Sequence, residues 1–445
     1  MSSKRDLVEA HSFNRRRLVT AFVSGAPGGR EVEPVRYGRT LVGGLVLAVL
    51  LVAGAAAAGF LKPTVPEDWK EHSLVIGKTS GSRFVAVDGK LFPVINTTSA
   101  RLVLEAEGSL DPTFVPDDVI AEQVPGPAIG IPGAPDVLPE QDRLVQTGWT
   151  ACTDVEGQTK VRVDRQPAAV PTRNGALVVE ANGKLYVVSG QHRYEVPKKH
   201  RDAVLLTLEL DGQTPLPVSG LWLDLFPPGD PLKPFDVDGA GETAASAPAG
   251  AEQVGTPVLV DGRPYLVMRD GLAPVSDFAY DIYVAGLSNG LEPVSVDQSD
   301  VIDVPKSTSL TYPESWPEEE VAPVAQACAV LETGDAAPVV HLARPVDDQE
   351  AFYDPDLRQT AAVEGGHGAL VRSSSGGQLD TGAVYLVDAT GTRYSVEDPQ
   401  RAEQTLAYLG YTDVEPVPVP AAWLELFDEG PALVQQNAKY AASGS

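Results

Sequence analysis

The sequence predicts an α+β protein: one N-terminal transmembrane helix, then an elongated extracytoplasmic region of four small hairpin-plus-helix repeats around a β-rich central domain. Three observations carry this. An uncharged run of about twenty residues, Thr40 to Leu61, lies near the start of the chain. A strand–Gly–strand pattern recurs four times beyond it. The 38 prolines and 42 glycines favour short elements over long helices.

Residues 1–39 open the chain as a basic segment. Leu7, Ala10, Phe13, Leu18 and Phe22 recur near a helical period, and Arg15, Arg16 and Arg17 load the rest of the surface. The reading is an amphipathic helix that lies on a membrane or docks on a cytoplasmic partner, with a disordered basic tail as the alternative. Glycines between Gly25 and Gly29 break it.

The run at residues 40–61 is long enough to cross ~30 Å of hydrocarbon as a helix. Residues 1–39 hold eight Lys/Arg against four Asp/Glu, about +4, so the remainder is near −31 of the chain's −27. Basic residues stay inside, which predicts a cytoplasmic N-terminus and an external body. Cleavage as a signal peptide is disfavoured by the long apolar run and long basic head. A twin-arginine signal at Arg16-Arg17 would need the apolar run to follow at once, and it does not.

The four repeats follow. Phe84–Val94 and Tyr186–Val196 are the first two hairpins, Tyr265–Val275 and Tyr385–Val396 the others. Each leads into a short helical stretch; Asp398-Pro399 caps the last. The second and fourth share a longer block: Leu221-Trp222-Leu223-Asp224-Leu225-Phe226 with Gly229, and Ala422-Trp423-Leu424-Glu425-Leu426-Phe427 with Gly430. These patterns divide the chain at 62–112 (repeat 1), 113–174 (central, first part), 175–235 (repeat 2) and 236–255 (an exposed loop). Repeat 3 spans 256–292, the second central part 293–379, repeat 4 380–437 and a frayed tail 438–445.

The two cysteines, Cys152 and Cys328, lie beyond the span. An even pair in an oxidising compartment reads as a disulfide. The strong negative charge argues against nucleic acid as a partner. No catalytic motif is complete. Gly77-Lys78-Thr79 is a partial phosphate-loop match, but the first glycine of that pattern would fall on His72 and the flanking residues suit a strand end. The six histidines are scattered without metal-ligand spacing. Asp347, Asp348, Asp354 and Asp356 read as a solvated acidic loop. No cofactor, metal or catalytic residue is expected.

One family matches the remaining motifs. Asn96-Thr97-Thr98-Ser99-Ala100-Arg101-Leu102, then Gly130-Ile131-Pro132-Gly133-Ala134-Pro135 and Trp149-Thr150-Ala151-Cys152, resemble successive landmarks of EccB. EccB is the single-span core membrane subunit of type VII (ESX) secretion systems. The segments Phe13-Asn14-Arg15-Arg16 and Ala21-Phe22-Val23 resemble its cytoplasmic helix. The resemblance covers nearly the whole chain. It implies a structural part in an inner-membrane export complex, beside an EccC-type FtsK/SpoIIIE-like ATPase, a multi-span EccD-type subunit and further EccB copies. A mycosin protease and secreted proteins in transit are further implied partners. An extracytoplasmic nucleotide hydrolase or a peptidoglycan-binding module is the alternative.

Overall fold

The computed structural model describes residues 3–25, 37–60, 65–287, 290–310, 312–334, 336–346, 360–375, 379–396 and 401–441. The acidic residues from Asp347 to Asp356, the Asp398-Pro399 cap, Lys62-Pro63 and the Ala26–Gly29 part of the glycine break lie outside them. Residues Met1–Pro66 and Glu67–Ser445 are separate compact units.

Among its described residues the first unit holds two helices. Lys4–Ser24 begins at a Ser3 capping box with Asp6 and ends at Gly25 in the left-handed region (φ 59°). Tyr37–Phe60 is apolar, and its Gly38–Ala56 stretch is long and hydrophobic enough to span a bilayer. At 1.5 Å per residue the 24-residue helix is about 36 Å long.

Among its described residues the second unit is built from five sheets. Four contain the same strand order. The first sheet runs Lys90–Pro93, Arg83–Val87, His72–Gly77, Thr113–Val115. The second runs His192–Val196, Lys184–Ser189, Gly175–Ala181, Leu216–Pro217, and the third Gly271–Pro274, Arg263–Met268, Pro257–Val260, Val294–Val296. The fourth runs Thr392–Val396, Val384–Val387, Ala369–Ser374, Val417–Pro420. In each, three antiparallel strands are followed by a short helix, and the chain returns parallel to the first strand. The four helices are Thr97–Val103, Arg201–Thr207, Asp277–Val284 and Ala402–Leu409.

These sheets move several boundaries read from sequence. The first sheet reaches Val115, the third reaches Val296, and the fourth starts at Ala369 rather than 380. The hairpins are visible in sequence because their turn chemistry is local. The strands on either side carry no such signal.

The fifth sheet has six strands. Its order is Ala361–Val363, Thr159–Val163, Trp149–Thr153, Ala327–Glu332, Val339–Pro345, Ala169–Pro171. Strands from two distant stretches of chain are thus interleaved. Cys152 and Cys328 lie directly opposite on its two middle strands and are disulfide-bonded, with Cα atoms 4.0 Å apart. In the chain-entropy view, closing a loop of 176 positions adds at most about 5 kcal/mol.

Side-chain alternation gives this sheet two different faces. One presents Cys152, Cys328 and Val330 to a small cluster with Ala169 and Ala343. The other presents Trp149, Ala151, Ala329 and Leu331 to the main core, where the second and fourth sheets meet it. A second core joins the second and third sheets, and another joins the first and fourth.

Two further expectations are corrected. Residues 236–255 lack regular structure, yet Val237, Ala251 and Val254 are buried. The Arg269 guanidinium reaches Asp238 at 2.8 Å and Glu242 at 3.1 Å from the hairpin below, so the segment is pinned down. The tail is ordered through residue 441: Ala438 is fully buried at the end of the helix Gln435–Ala438, and Ala441 bridges Ile129. Small residues hid the contact, because Ala438 carries little hydrophobic signal.

Candidate functional site

Three places combine the residues singled out in the sequence: the N-terminal helix, the Asn96 motif, and the Gly77 turn. On the helix Lys4–Ser24, Leu7, Phe13, Arg15, Arg16, Arg17, Leu18 and Phe22 are all exposed, Phe22 at 94%. At about 100° per residue, Leu18 and Phe22 fall within about 60° of Leu7. Phe13 falls about 120° from Leu7 in the opposite sense, so it does not share their side. Arg15 lies among the apolar residues, while Arg16 and Arg17 point elsewhere. Phe13 joins the stripe in sequence through its three-residue step from Ala10, but it is six residues from Leu7, which turns it to the other side.

The two family motifs form one physical unit. Asn96 caps the helix Thr97–Val103, its Oδ1 accepting the Ser99 amide at 2.9 Å, and its Nδ2 donates to the Ile131 carbonyl at 2.9 Å. The Ile131 amide donates to Ser99 Oγ at 2.9 Å. Thr98 Oγ1 donates to the Pro135 carbonyl. Ala100 and Leu102 are fully buried. Gly130 sits at φ 134°, and a Cβ there would stand 2.6 Å from Ile95 and 3.1 Å from Ser99 Oγ. Close approach thus requires the glycine. Pro132 and Gly133 are exposed at the tip, and Pro135 is half-buried. Asp136, which carries no signal in the sequence, accepts the Thr97 amide at 2.9 Å and meets Arg83.

Arg101 reaches out of this unit. Its guanidinium donates to the Gly108 carbonyl at 2.6 and 2.9 Å, and Nε donates to the Leu409 carbonyl at 3.4 Å. Burial holds its pKa below the ordinary arginine value. The motif therefore staples the first sheet's helix to the last turn of the fourth sheet's helix. These residues build structure.

The Gly77 turn joins two strands. Gly77 ends the strand His72–Gly77, and the Lys78 amide donates to the Val115 carbonyl at 3.0 Å. The Thr79 and Ser80 amides donate to the two carboxylate oxygens of Asp117, at 2.8 and 3.3 Å. A bond from the Ser80 hydroxyl, then the Thr79 amide, holds the Asp117 carboxyl below its ordinary pKa. A phosphate loop needs such amides open to an anion. Here a carboxylate already takes them and would repel one. Asp117 is distant from Thr79 along the chain, so no local signal announces it.

No group of three or more His, Cys, Asp or Glu placed to hold a metal occurs among the described residues. An open cleft of about 450 Å³ is lined by Gln146, Thr147, Thr333, Arg372, Asp380 and Glu415. None of the candidate site residues read from the sequence lines it.

Among the described residues, an exposed basic helix, a helix long and apolar enough to cross a membrane, and a disulfide-tied body of five sheets make up the plan of a membrane-anchored protein. Over residues 1–444 the chain matches the family described as the type VII secretion system ESX-1 transport TM domain B, EccB. It belongs to the EccB family of type VII secretion systems. It is 29% identical to the ESX-2 secretion system ATPase EccB2 of Mycobacterium tuberculosis, over 98% of this chain and 94% of that protein. It is 27% identical to the ESX-3 secretion system ATPase EccB3 of Mycolicibacterium smegmatis, over 98% and 91%. Its fold is similar to a solved EccB3 dimer from the ESX-3 core complex, with TM-score 0.67, 24% identity, 83% of this chain and 100% of that one. It is similar too to a chain of an intact ESX-5 inner membrane complex, with TM-score 0.64, 24% identity, and 100% and 96% covered.

Proposed function

We propose that this chain is a structural core subunit of a type VII secretion membrane complex, anchored by one span with its N-terminus in the cytoplasm. The observation that carries the reading is the family match along the whole chain, coupled to the presence of an exposed helix, an apolar helix and a compact body. The +4 head and near −31 remainder favour the inside–outside orientation. The four like-ordered sheets are read as copies of one module set about the six-stranded sheet. They give the body the stiffness to stand beside further copies and frame an exit path.

The basic helix is read as the contact to the cytoplasmic base, an EccC-type ATPase and an EccD-type subunit. A mycosin protease is a further candidate above the membrane. Both of these relatives, EccB2 and EccB3, are named as ATPases. For this chain the geometry at Asp117 argues against a phosphate site at Gly77-Lys78-Thr79, and energy input is assigned to the EccC-type partner. The test is co-purification from detergent extracts. The full chain should bring EccC-type and EccD-type subunits with it, and a chain lacking residues 2–23 should insert but bring neither. A truncated chain that still assembles would remove the helix from this role.

A further inference from the structure

Beyond residue 39 the chain is near −31, and Lys198-Lys199 is the only pair of adjacent Lys/Arg in it. His200 and Arg201 extend the run. These residues form the tight turn Lys198–His200 and the start of the second sheet's helix, Arg201–Thr207. A helix start favours acids, and only Asp202 supplies one here. Lys198, Lys199 and Arg201 make no ion pair among the described residues, although Lys184 and Arg193 of the preceding hairpin pair with Glu195 and Asp224. The other end of the helix reverses the charge. Glu209, at φ 56°, and Asp211 follow it and are exposed. Burial, then the charges of Glu320, Asp277 and Glu209, raises the Asp281 carboxyl, so acids crowd at this end. No cation pairs with any of them among the described residues. The seven-residue helix keeps the two ends about 10 Å apart, a full screening length. Between them Ala203 and Leu206 are exposed, Leu206 at 65%, and lie about 60° apart around the helix. Asp202 lies about 40° from Leu206 on the same side. Val204 and Leu205 turn inward and are buried.

We infer that this face pairs with the same face of a second copy of the chain, antiparallel about a two-fold axis through the middle of the helix. The inference rests on the reading of this chain as a subunit that stands beside further copies, and it names the face. In that arrangement Leu206 lies against Ala203 of the partner subunit. Lys198 and Lys199 meet Asp211 and Glu209 of the partner subunit, and the reverse contacts repeat across the axis. Four arguments favour this occupant. A two-fold contact needs a surface complementary to itself, and a helix with a basic start and an acidic end is one when set antiparallel. Two bodies near −31 repel, so copies approach where local charges are opposite. An anionic lipid or polymer would meet the basic end and be repelled by the acidic one a helix away. Both ends also oppose the helix's own dipole, and an antiparallel neighbour offsets both at once. Copies anchored in one membrane meet at high effective concentration, so a contact of about two turns suffices.

The test uses the full chain in native membranes. Two copies carry different tags, and the second copy recovered with the first is measured after detergent extraction. One variant joins Lys198→Glu to Lys199→Glu; the other joins Glu209→Lys to Asp211→Lys. Either variant alone should lower the recovered copy at least about tenfold, because like charges then face each other at both ends. The two variants produced together should restore it, since every end contact between them is again of opposite sign. That restoration also shows that both variants fold. A copy with Ala203→Cys and a copy with Leu206→Cys, produced together, should form a disulfide between copies under mild oxidation. Val155→Cys in place of Leu206→Cys should form none, although Val155 is 72% exposed. Recovery unchanged by either reversal would overturn the proposal. Losses that the mixed variants do not restore would overturn it in favour of a different partner. Restoration without the disulfide would replace the two-fold contact by a head-to-tail one, and the proposal would fall. The same extracts are probed for EccC-type and EccD-type subunits. If the native chain recovers its second copy and neither subunit, the secretion-complex reading fails and the face stands. If it recovers both subunits while the reversals leave pairing unchanged, only the face fails.

Discussion

The two tryptophan blocks hold nearly the same sequence in nearly the same place, yet they end differently. Trp222 and Trp423 are both fully buried on short helices, Gly220–Leu223 and Ala421–Leu424, against the same face of the six-stranded sheet. After each block the chain runs along the hairpin's outer strand. The Gly229 amide donates to the Arg193 carbonyl and the Gly430 amide to the Arg393 carbonyl, both at 2.8 Å. A Cβ at either glycine would stand 2.4 Å from a tyrosine ring, Tyr194 or Tyr394. The indoles differ. Trp222 Nε1 donates to the Ala151 carbonyl at 3.1 Å, in the strand that carries Cys152. Trp423 Nε1 has no hydrogen-bond partner among the described residues, and its ring instead meets Trp149 edge-on at 6.4 Å. The same block thus serves once as a polar anchor and once as an aromatic wedge.

The bluntest way to break the comparison is to remove the rings. Trp222→Ala and Trp423→Ala should each cost about 3–5 kcal/mol, because each empties a fully buried site. Equilibrium urea unfolding of the full chain in detergent reads this. A loss below about 1 kcal/mol at either site would deny that both blocks are core. Keeping the ring but removing the N–H separates them. Trp222→Phe should cost about 1 kcal/mol more than Trp423→Phe, since only the first strips a made hydrogen bond. Equal losses would mean that the Ala151 contact contributes nothing.

The blocks were legible in the sequence because they are local strings. So were the hairpins: Asp88-Gly89, at φ 49° and 75°, turns one by chemistry readable in two letters. The returning parallel strands were not. Leu216–Pro217 has two residues and finds Val179 and Glu180 across a helix. Nothing in so short a strand encodes a partner that far away. The same holds at the candidate sites. The Asn96 and Gly130 motifs were visible as strings, but their mutual hydrogen bonds, and the filling of the Gly77 turn by Asp117, join residues distant along the chain. Arc position on the N-terminal helix was legible in principle, because it needs only residue numbers and a period.

A smaller effect lies in the helix Asp277–Val284 of the third sheet. Burial, then the charges of Glu320, Asp277 and Glu209, pushes the Asp281 carboxyl up to about 6. Asp277 lies one turn away on the same helix, an unfavourable like-charge spacing. The folded protein therefore binds this proton more tightly than the unfolded chain, whose value is 3.8. Stability falls as pH rises from about 4 to 6, and the penalty stays above that window. Asp281→Asn should stabilise the protein at about pH 7.5 and lose its advantage by about pH 4. An advantage unchanged between those pH values would assign the effect to something other than the charge.

The finest division lies at the two arginines of the paired hairpins. Arg193 meets Asp224 at 2.5 Å, inside its own tryptophan block, whereas Arg393 meets Glu429 at 3.6 Å, just after its block. Arg393 also lies 5.8 Å from the Tyr385 ring. Both acidic side chains are more than half exposed, so solvent screens each pair and neither exceeds about 1 kcal/mol. The shorter contact should nonetheless couple more strongly. Double-mutant cycles with Arg193→Ala and Asp224→Ala, and with Arg393→Ala and Glu429→Ala, should give a larger coupling energy for the first pair, and raising salt should shrink it. A second pair that couples as strongly would show that position in the block, and not distance, sets the interaction. In that case the matching glycine–tyrosine packing would hold both arginines to the same task, and the two blocks would differ only at their indoles.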